Sequence, residues 1–159
     1  MLVHVSPQTH PPPYDKESAT KNRKEKRDLV ERDCAHGVLV YADDEPVGWC
    51  QYGPKEELPR MDYTKAYRKL ATAEVQSRVW RITCFVVDRS HRKKGVATVG
   101  LRGALEAIRR RGGGVVEAYP IKRWGARADW YGTMSMFHRE GFKVVAPFGE
   151  HNVLMRLTI

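Results

Sequence analysis

The stretch of residues 79–121 constrains the fold more than any other part of the chain. It begins with the apolar run VWRITCFVVD, whose second half, Cys84 to Val87, does not alternate with polar residues, as is typical of a strand buried on both faces. A helix from about Val96 to Arg111 follows, then the stop signal RGGG and a second apolar run, VVEAYPI. A strand, a crossover helix and a second strand form a βαβ unit, so we expect the two strands to be parallel neighbours.

The helix between these strands has one apolar face. Leu101, Ala104, Leu105 and Ile108 follow each other at i, i+3, i+4 and i+7, a spacing that predicts packing against a sheet. On the outer face, Arg102, Glu106 and Arg110 are spaced to form two ion pairs along the helix.

The rest of the chain supplies further strands and short helices. GVLVYA, DDEP and VGWCQYG predict a hairpin, and residues 54–75 predict one or two helical segments. GTMSMFHRE predicts a short helix, and KVVA and VLMRLTI predict two final strands. Together these elements indicate an α/β (α+β) fold with a mixed central sheet.

The N-terminal stretch has a different composition. Residues 1–26 are polar and include three consecutive prolines, so we expect a tail or an irregular segment, in which LVHV is a candidate short strand. A short helix is predicted from Lys26 to Ala35. The domain itself is expected over residues 27–159.

Composition limits the partners. The 159 residues suit one domain, and the net charge of +9 favours an anionic partner, namely nucleic acid, a membrane surface or a polyanionic cofactor, or else a merely solvated basic surface. No apolar run reaches the roughly 18 residues of a membrane span. The N-terminus lacks a secretion signal, and the three cysteines show no metal-ligand spacing, so we expect reduced thiols and a cytoplasmic protein. No His, Cys, Asp or Glu cluster indicates a metal site.

The turn between the first strand and its helix is basic. Arg92, Lys93 and Lys94 directly precede Gly95 and the start of the helix. A helix N-terminus presents unpaired N–H groups to anions, and glycine allows a ligand to approach closely. The turn therefore predicts a phosphate site that is neither a Walker A loop nor a Rossmann fingerprint. The alternative is an ordinary turn with solvated basic side chains.

Two motifs resemble signatures of the GNAT N-acetyltransferase superfamily. Residues 92–97, RKKGVA, resemble the acetyl-CoA signature R/Q-x-x-G-x-G/A, and SMFHREGF resembles the second signature, a short helix that closes in Gly141 and Phe142. The element order agrees with that of the superfamily over residues 27–159. The resemblance implies the GNAT fold, in which two parallel strands splay apart around acetyl-CoA, and N-acetyl transfer from this cosubstrate to an amine acceptor.

The resemblance also implies which residues contact acetyl-CoA. Backbone groups of the first buried strand would pair with the pantetheine arm, and either Val86 or Val87 would polarise the thioester carbonyl. Backbone N–H groups of residues 93–98 would hold the pyrophosphate, with added charge from Arg92 and the lysines. The full set of cofactor-binding residues is Phe85, Val86, Val87, Arg92, Lys93, Lys94, Gly95, Val96, Ala97, Thr98 and Phe137.

The usual catalytic residues do not carry over. The tyrosine that serves many members as general acid is replaced by Phe137, and the upstream end of the strand has no carboxylate. We consider Glu117, Tyr119 and Tyr131 as substitutes, because the first two share one strand face and the third precedes the short helix. The alternative for Glu117 is a structural ion pair with an arginine, and for Tyr119 simple packing.

Three functions stay open at this point. The first is an N-acetyltransferase acting on a small-molecule or protein amine. The second is an enzyme of the same fold that acts on a tRNA-borne amine, which the basic charge permits. The third is a non-catalytic CoA-binding module, which the missing acid and base favour. The resemblance also leaves open a homodimer paired through the last strands.

Overall fold

The computed structural model describes residues 16–70, 77–122 and 130–159, which fall into a first compact unit up to His36 and a second from Gly37 onward. The first unit contains helix α1 (Lys16–Glu31). This helix begins well before the predicted start at Lys26, so the irregular interpretation of residues 16–26 is wrong. The segment is rich in Lys and Glu, which favour helix without apolar periodicity. The predicted LVHV strand lies outside the described residues.

The second unit is built on one six-stranded sheet, which confirms the predicted mixed α/β fold. The strand order is β1-β2-β3-β4-β6-β5. The strands β3 and β4 are parallel, whereas β2 with β3, β4 with β6, and β5 with β6 are antiparallel. The strand bounds are β1 His36–Ala42, β2 Glu45–Pro54, β3 Val79–Val87, β4 Val115–Ala118, β5 Lys143–Phe148 and β6 Asn152–Thr158.

Helix α3 forms as the periodicity predicts. The helices of this unit are α2 (Lys65–Leu70), α3 (Val96–Arg110) and α4 (Met134–Arg139), with 3₁₀ turns at Lys55–Glu57, Pro59–Tyr63 and Arg89–His91. The four apolar residues predicted to face the sheet are all buried. Arg110 pairs with Glu106 at 3.1 Å as expected, but Arg102 pairs at 2.8 Å with Glu140 next to α4 instead.

The two faces of the sheet differ. On the face that carries α3 and α4, a large apolar core includes Trp80, Ile82, Leu101, Val116 and Phe137. On the opposite face lies a smaller cluster of Met61, Tyr67, Tyr119 and Leu154, to which the segment between β2 and β3 contributes. Alternation along β3 and β4 places the side chains of Arg81 and Glu117 on this second face.

The parallel strands β3 and β4 separate partway along β3. Their last paired residues are Ile82 and Ala118, whereas β3 continues to Val87 and stays paired with β2. A cleft therefore opens between the two strands beyond Ile82. The sequence predicted burial up to Val87, but the structure buries Trp80 to Phe85 and leaves Val86 and Val87 only partly buried, because β4 no longer covers them.

Candidate active site

The backbone of β3 faces the cleft at alternate residues. The N–H of Asp88 donates to the carbonyl of Val47 at 2.8 Å, so Asp88 and Val47 form a hydrogen-bonded pair that extends the antiparallel pairing of β2 with β3. Hydrogen-bonded pairs alternate along antiparallel strands, so Val86 directs its backbone groups toward β2. Phe85 and Val87 direct theirs to the other side, into the cleft. Of the two predicted carbonyl-polarising residues, the geometry favours Val87.

The turn after β3 is held by Asp88. Its carboxylate accepts from the N–H of Ser90 at 2.9 Å, the hydroxyl of Ser90 at 2.5 Å and the Nδ1 of His91 at 3.1 Å. The hydrogen bond from the Ser90 hydroxyl, followed by that from His91, lowers the pKa of Asp88 to about 2. The carboxylate is therefore ionised at neutral pH, and its hydrogen bonds hold the backbone that leads from β3 to the basic turn.

The basic turn has the backbone form of an anion site. Lys93 and Gly95 both adopt left-handed conformations, with φ of 61° and 83°, and Gly95 is the N-cap of α3. The first helical N–H to find a carbonyl is that of Val99, which donates to Gly95 at 3.1 Å. The N–H groups of residues 96–98 therefore have no acceptor within the helix. Since the first turn carries no acidic residue, this end of α3 attracts anions.

The side chains of the turn are open to solvent. Arg92, Lys93, Lys94 and Gly95 are exposed, and Val96, Ala97 and Thr98 are partly buried. The Nε of Arg92 donates to the carbonyl of Val87 at 3.4 Å, which ties the turn to the cleft edge of β3. The predicted phosphate-binding residues thus lie together at the end of β3 that borders the cleft.

Phe137 lies apart from these residues, in the core on the α3 face. Its side chain is fully buried, with ring centroids 6.0 Å from Phe85 and 5.0 Å from Phe142. A Cβ placed on Gly132 would lie 3.1 Å from the Phe137 ring and 3.2 Å from the Phe85 ring. Phe137 therefore supports the wall of the cleft through Phe85, and direct contact with acetyl-CoA stays a prediction.

Glu117 forms the buried ion pair that the sequence analysis left as its alternative. Its carboxylate accepts from Arg156 at 2.8 and 3.0 Å, from Tyr119 at 2.7 Å and from Tyr67 at 3.0 Å. Glu117 and Tyr119 have no exposed surface. Burial, and then the negative charge of Glu117, raise the pKa of both phenols. Both tyrosines are therefore neutral at physiological pH, and their hydroxyl protons are directed to Glu117.

The third predicted catalytic residue, Tyr131, lies against the same cluster. Its side chain is partly buried and packs on the cluster of Met61, Tyr67, Tyr119 and Leu154. At its neighbour in the chain, Gly132, an added Cβ would lie 3.2 Å from the Phe85 ring. The structure thus brings together Tyr119 and Tyr131, two of the three predicted catalytic residues, beside Glu117. Of the three, Tyr131 alone is partly exposed.

The sequence analysis missed the charged partners of this cluster. Arg81 is fully buried and binds both carboxylate oxygens of Asp62, at 2.9 and 2.7 Å. Arg156 and Tyr67, which bind Glu117, were also missed. One signal was available: a strand as apolar as VWRITCFVVD buries its arginine, and a buried guanidinium requires a carboxylate partner.

Other kinds of site find no support within residues 16–70, 77–122 and 130–159. No group of three His, Cys, Asp or Glu side chains there is arranged to hold a metal ion. In the same ranges, no helix is both long enough and apolar enough to cross a membrane. Cys34, Cys50 and Cys84 are free thiols.

Comparison with known proteins places these features in a family. Residues 3–128 match the model of the Acetyltransferase (GNAT) family. No curated protein matches the chain. One similar solved structure is the ribosomal-protein-alanine N-acetyltransferase of Brucella melitensis (TM-score 0.59, 18% identity, covering 87% of this chain and 78% of that one). Another is YncA of Salmonella typhimurium with its cofactor acetyl-CoA (TM-score 0.57, 18% identity, covering 87% of this chain and 73% of that one).

A third structure is the PaiA N-acetyltransferase of Thermoplasma acidophilum in complex with coenzyme A (TM-score 0.56, 12% identity, 92% of this chain and 80% of that one). At these identities the likeness is one of fold.

Proposed function

Because the chain belongs to the GNAT acetyltransferase family, we propose that it transfers the acetyl group of acetyl-CoA to the amine of a small molecule or a protein. One observation carries the proposal. The cleft between β3 and β4 opens beside a basic turn in which Lys93 and Gly95 are left-handed and the first N–H groups of α3 have no acceptor within the helix. The N–H groups and positive charges of such a turn suit a pyrophosphate, and the open strand edges of such a cleft suit a long, extended thioester arm.

Acetyl-CoA fits the residues that line this region. Arg92, Lys93 and Lys94 supply positive charge, and the N–H groups of residues 93–98 supply donors for the phosphates. The cleft-facing backbone of Phe85 and Val87 supplies strand-like partners for the pantetheine arm. The Salmonella and Thermoplasma relatives, solved with acetyl-CoA and coenzyme A, support the same cosubstrate.

The chemistry follows from the groups at the cleft. Acetyl-CoA supplies a thioester carbonyl that a neutral amine attacks. The Val87 N–H, already aimed into the cleft, stabilises the negative charge that develops on the carbonyl oxygen, and a preorganised donor of this kind contributes about 3–4 kcal/mol. Positioning of the two reactants contributes the remainder.

Tyr131 is the general acid in this proposal. Its side chain is partly exposed, and a Cβ at the next residue, Gly132, would lie 3.2 Å from the Phe85 ring. In this proposal its hydroxyl donates a proton to the departing sulfur. Tyr119 and Glu117 act differently, because both are fully buried and bonded to each other at 2.7 Å. They support the position of Tyr131 and are not directly in contact with the reacting atoms. The amine loses its proton to water.

A thiol-release assay tests the proposal. Wild type is incubated with acetyl-CoA and, one at a time, spermidine, L-lysine, kanamycin and a peptide with a free α-amino group. We expect amine-dependent thiol release with at least one of these. Tyr131→Phe should lower kcat about 10²- to 10⁴-fold, as expected for loss of a general acid, without weakening acetyl-CoA binding.

Tyr41→Phe is the matched control, since Tyr41 is 58% exposed on the edge strand β1; it should behave as wild type. Binding of acetyl-CoA without turnover of any amine would contradict the enzymatic proposal and favour a non-catalytic CoA-binding module. A Tyr131→Phe variant with normal kcat would remove Tyr131 from the mechanism.

A further inference from the structure

Arg81 anchors the segment between β2 and β3 to the sheet. This segment, residues 55–70, runs over the face opposite α3 and is called the β2–β3 segment below. One guanidinium nitrogen of Arg81 donates to the carbonyl of Leu58 at 2.7 Å and to Asp62 at 2.9 Å, and the other donates to Asp62 at 2.7 Å. Two parallel hydrogen bonds to one carboxylate fix both the distance and the angle between Arg81 and Asp62, so they hold the β2–β3 segment in one position on the sheet.

The same guanidinium reaches the cluster under the cleft. Its Nε lies 3.6 Å from an oxygen of Glu117, and its Cζ lies 4.8 Å from the centroid of the Tyr67 ring. Arg81 is opposite Glu117 in the register of β3 and β4, one pair before the strands separate. The clamp formed by Arg81 and Asp62 therefore lies at the base of the cleft.

The buried part of this network joins two arginines to two carboxylates. Arg81 pairs with Asp62 and Arg156 with Glu117, and the partly exposed Lys55 lies 3.4 Å from Asp62 as a third cation. Buried ion pairs of this kind contribute little net stability compared with apolar residues, whereas they restrict the geometry of the groups that they join. Here the groups joined are the β2–β3 segment, with Tyr67, and the end of β4, with Tyr119.

The clamp and the basic turn lie toward opposite ends of β3. The basic turn at residues 92–95 follows the carboxyl end of β3, whereas Arg81 lies near its beginning and points to the opposite face from α3. An amine must reach the thioester from a side that the cosubstrate leaves free. The face that carries the β2–β3 segment and the three tyrosines is such a side.

We propose that Arg81 and Asp62 are positioning residues for the acceptor amine. They hold the β2–β3 segment in place, and this segment forms the acceptor side of the cleft, whereas neither residue contributes to acetyl-CoA binding. This inference rests on the proposed acetyltransferase function. It implies that the acceptor contacts the β2–β3 segment or the tyrosines that the clamp holds.

The test compares two nucleophiles in two variants. The probes are the fastest amine of the four-amine panel and hydroxylamine, which attacks acetyl-CoA directly and is too small to need an acceptor site. The variants are Arg81→Gln and the double variant Asp62→Asn/Arg81→Gln, which removes both charges of the clamp. Both should lower kcat/KM for the panel amine about 10- to 100-fold, as misplacement of a reactant does, while hydroxylamine turnover and the Kd of acetyl-CoA stay at wild-type values.

The double variant separates positioning from stability. It should recover thermal stability relative to Arg81→Gln, since the Asp62 carboxylate is no longer left without its arginine and the partly exposed Lys55 is hydrated by water, yet keep the low kcat/KM for the panel amine. Recovery of kcat/KM together with stability would overturn the inference, as would equal losses for the amine and hydroxylamine or a weakened Kd for acetyl-CoA. Arg102→Gln, which removes the exposed pair with Glu140, is the control and should match wild type. A wild type that binds acetyl-CoA but acetylates no panel amine contradicts the proposed function itself, and the inference falls with it.

Discussion

The chain contains two glutamate–arginine pairs of equal length in different surroundings, and they give a sharp test of the packing described above. Arg156 donates to Glu117 at 2.8 Å, and Arg102 donates to Glu140 at 2.8 Å. Glu117 has no exposed surface and its partner Arg156 is 22% exposed, whereas Glu140 is 13% exposed and its partner Arg102 is 66% exposed. The substitutions Glu117→Gln and Glu140→Gln keep the shape of each side chain and remove one charge.

Burial decides the size of the two effects. In Glu117→Gln, the guanidinium of Arg156 and the nearby Arg81 lose a carboxylate inside the protein, and the hydroxyls of Tyr67 and Tyr119 compete for one remaining oxygen. Removing one partner of a buried pair typically costs about 3–5 kcal/mol of unfolding free energy. In Glu140→Gln, water replaces the lost interaction with Arg102, so the expected loss is about 0–1 kcal/mol.

Urea unfolding followed by circular dichroism measures both losses. Wild type and the two variants are compared at pH 7 under identical salt, with the slope of each transition checked for two-state behaviour. Losses that are equal for the two substitutions would refute the reasoning, because distance alone would then govern the pairs. A large loss in Glu140→Gln would refute it equally.

Three further predictions follow from individual residues. Gly95→Ala and Gly149→Ala should each lower the unfolding free energy by about 1–2 kcal/mol, because both glycines are left-handed and have open space around the added methyl group; urea unfolding measures this. Burial alone would raise the pKa of Asp62, but the hydrogen bond from Arg81 and the charge of Arg81 lower this pKa below the ordinary value. The ionised carboxylate therefore stabilises the fold above the ordinary carboxyl pKa, and this stabilisation is lost as the pH falls. Below about pH 4, urea unfolding should show that wild type loses stability more steeply with falling pH than Asp62→Asn does. Tyr119→Phe should lower the unfolding free energy by about 1.5–3 kcal/mol through the lost bond to a carboxylate, again by urea unfolding.

The elements governed by local pattern were predictable from the sequence. The periodicity of α3 placed Leu101 and Ile108 in the core, and the unbroken apolar run of β3 placed that strand inside the sheet. The motif GTMSMFHRE predicted the short helix α4, which Thr133 caps by accepting from the N–H of Met136. In each case, the residues that determine the element lie within one stretch of the chain, so their spacing is informative.

The contacts between distant segments were not predictable. Asp62, Arg81, Glu117 and Arg156 come from four separate segments, and they meet only because the register of three strands aligns them on one face. Spacing along the chain carries no information on that register. For the same reason, the sequence suggested a pair of Arg102 with Glu106, whereas the fold brings Glu140 closer.

The start of α1 was missed for a different reason. Its sequence, KESATKNRKEKRDLVE, consists mainly of charged and polar residues with good helix propensity. An apolar stripe, the signal on which a helix is usually recognised, is weak there. The preceding prolines made the segment look irregular.

The measurement that tests the account most directly is a calorimetric titration of acetyl-CoA into wild type, Gly95→Glu and Gly149→Glu. Both substitutions add the same charge and the same backbone strain in open space, but Gly95 alone lies in the basic turn. The account predicts that wild type and Gly149→Glu bind acetyl-CoA and that Gly95→Glu does not. Absence of binding to wild type, or equal binding to all three proteins, would contradict it.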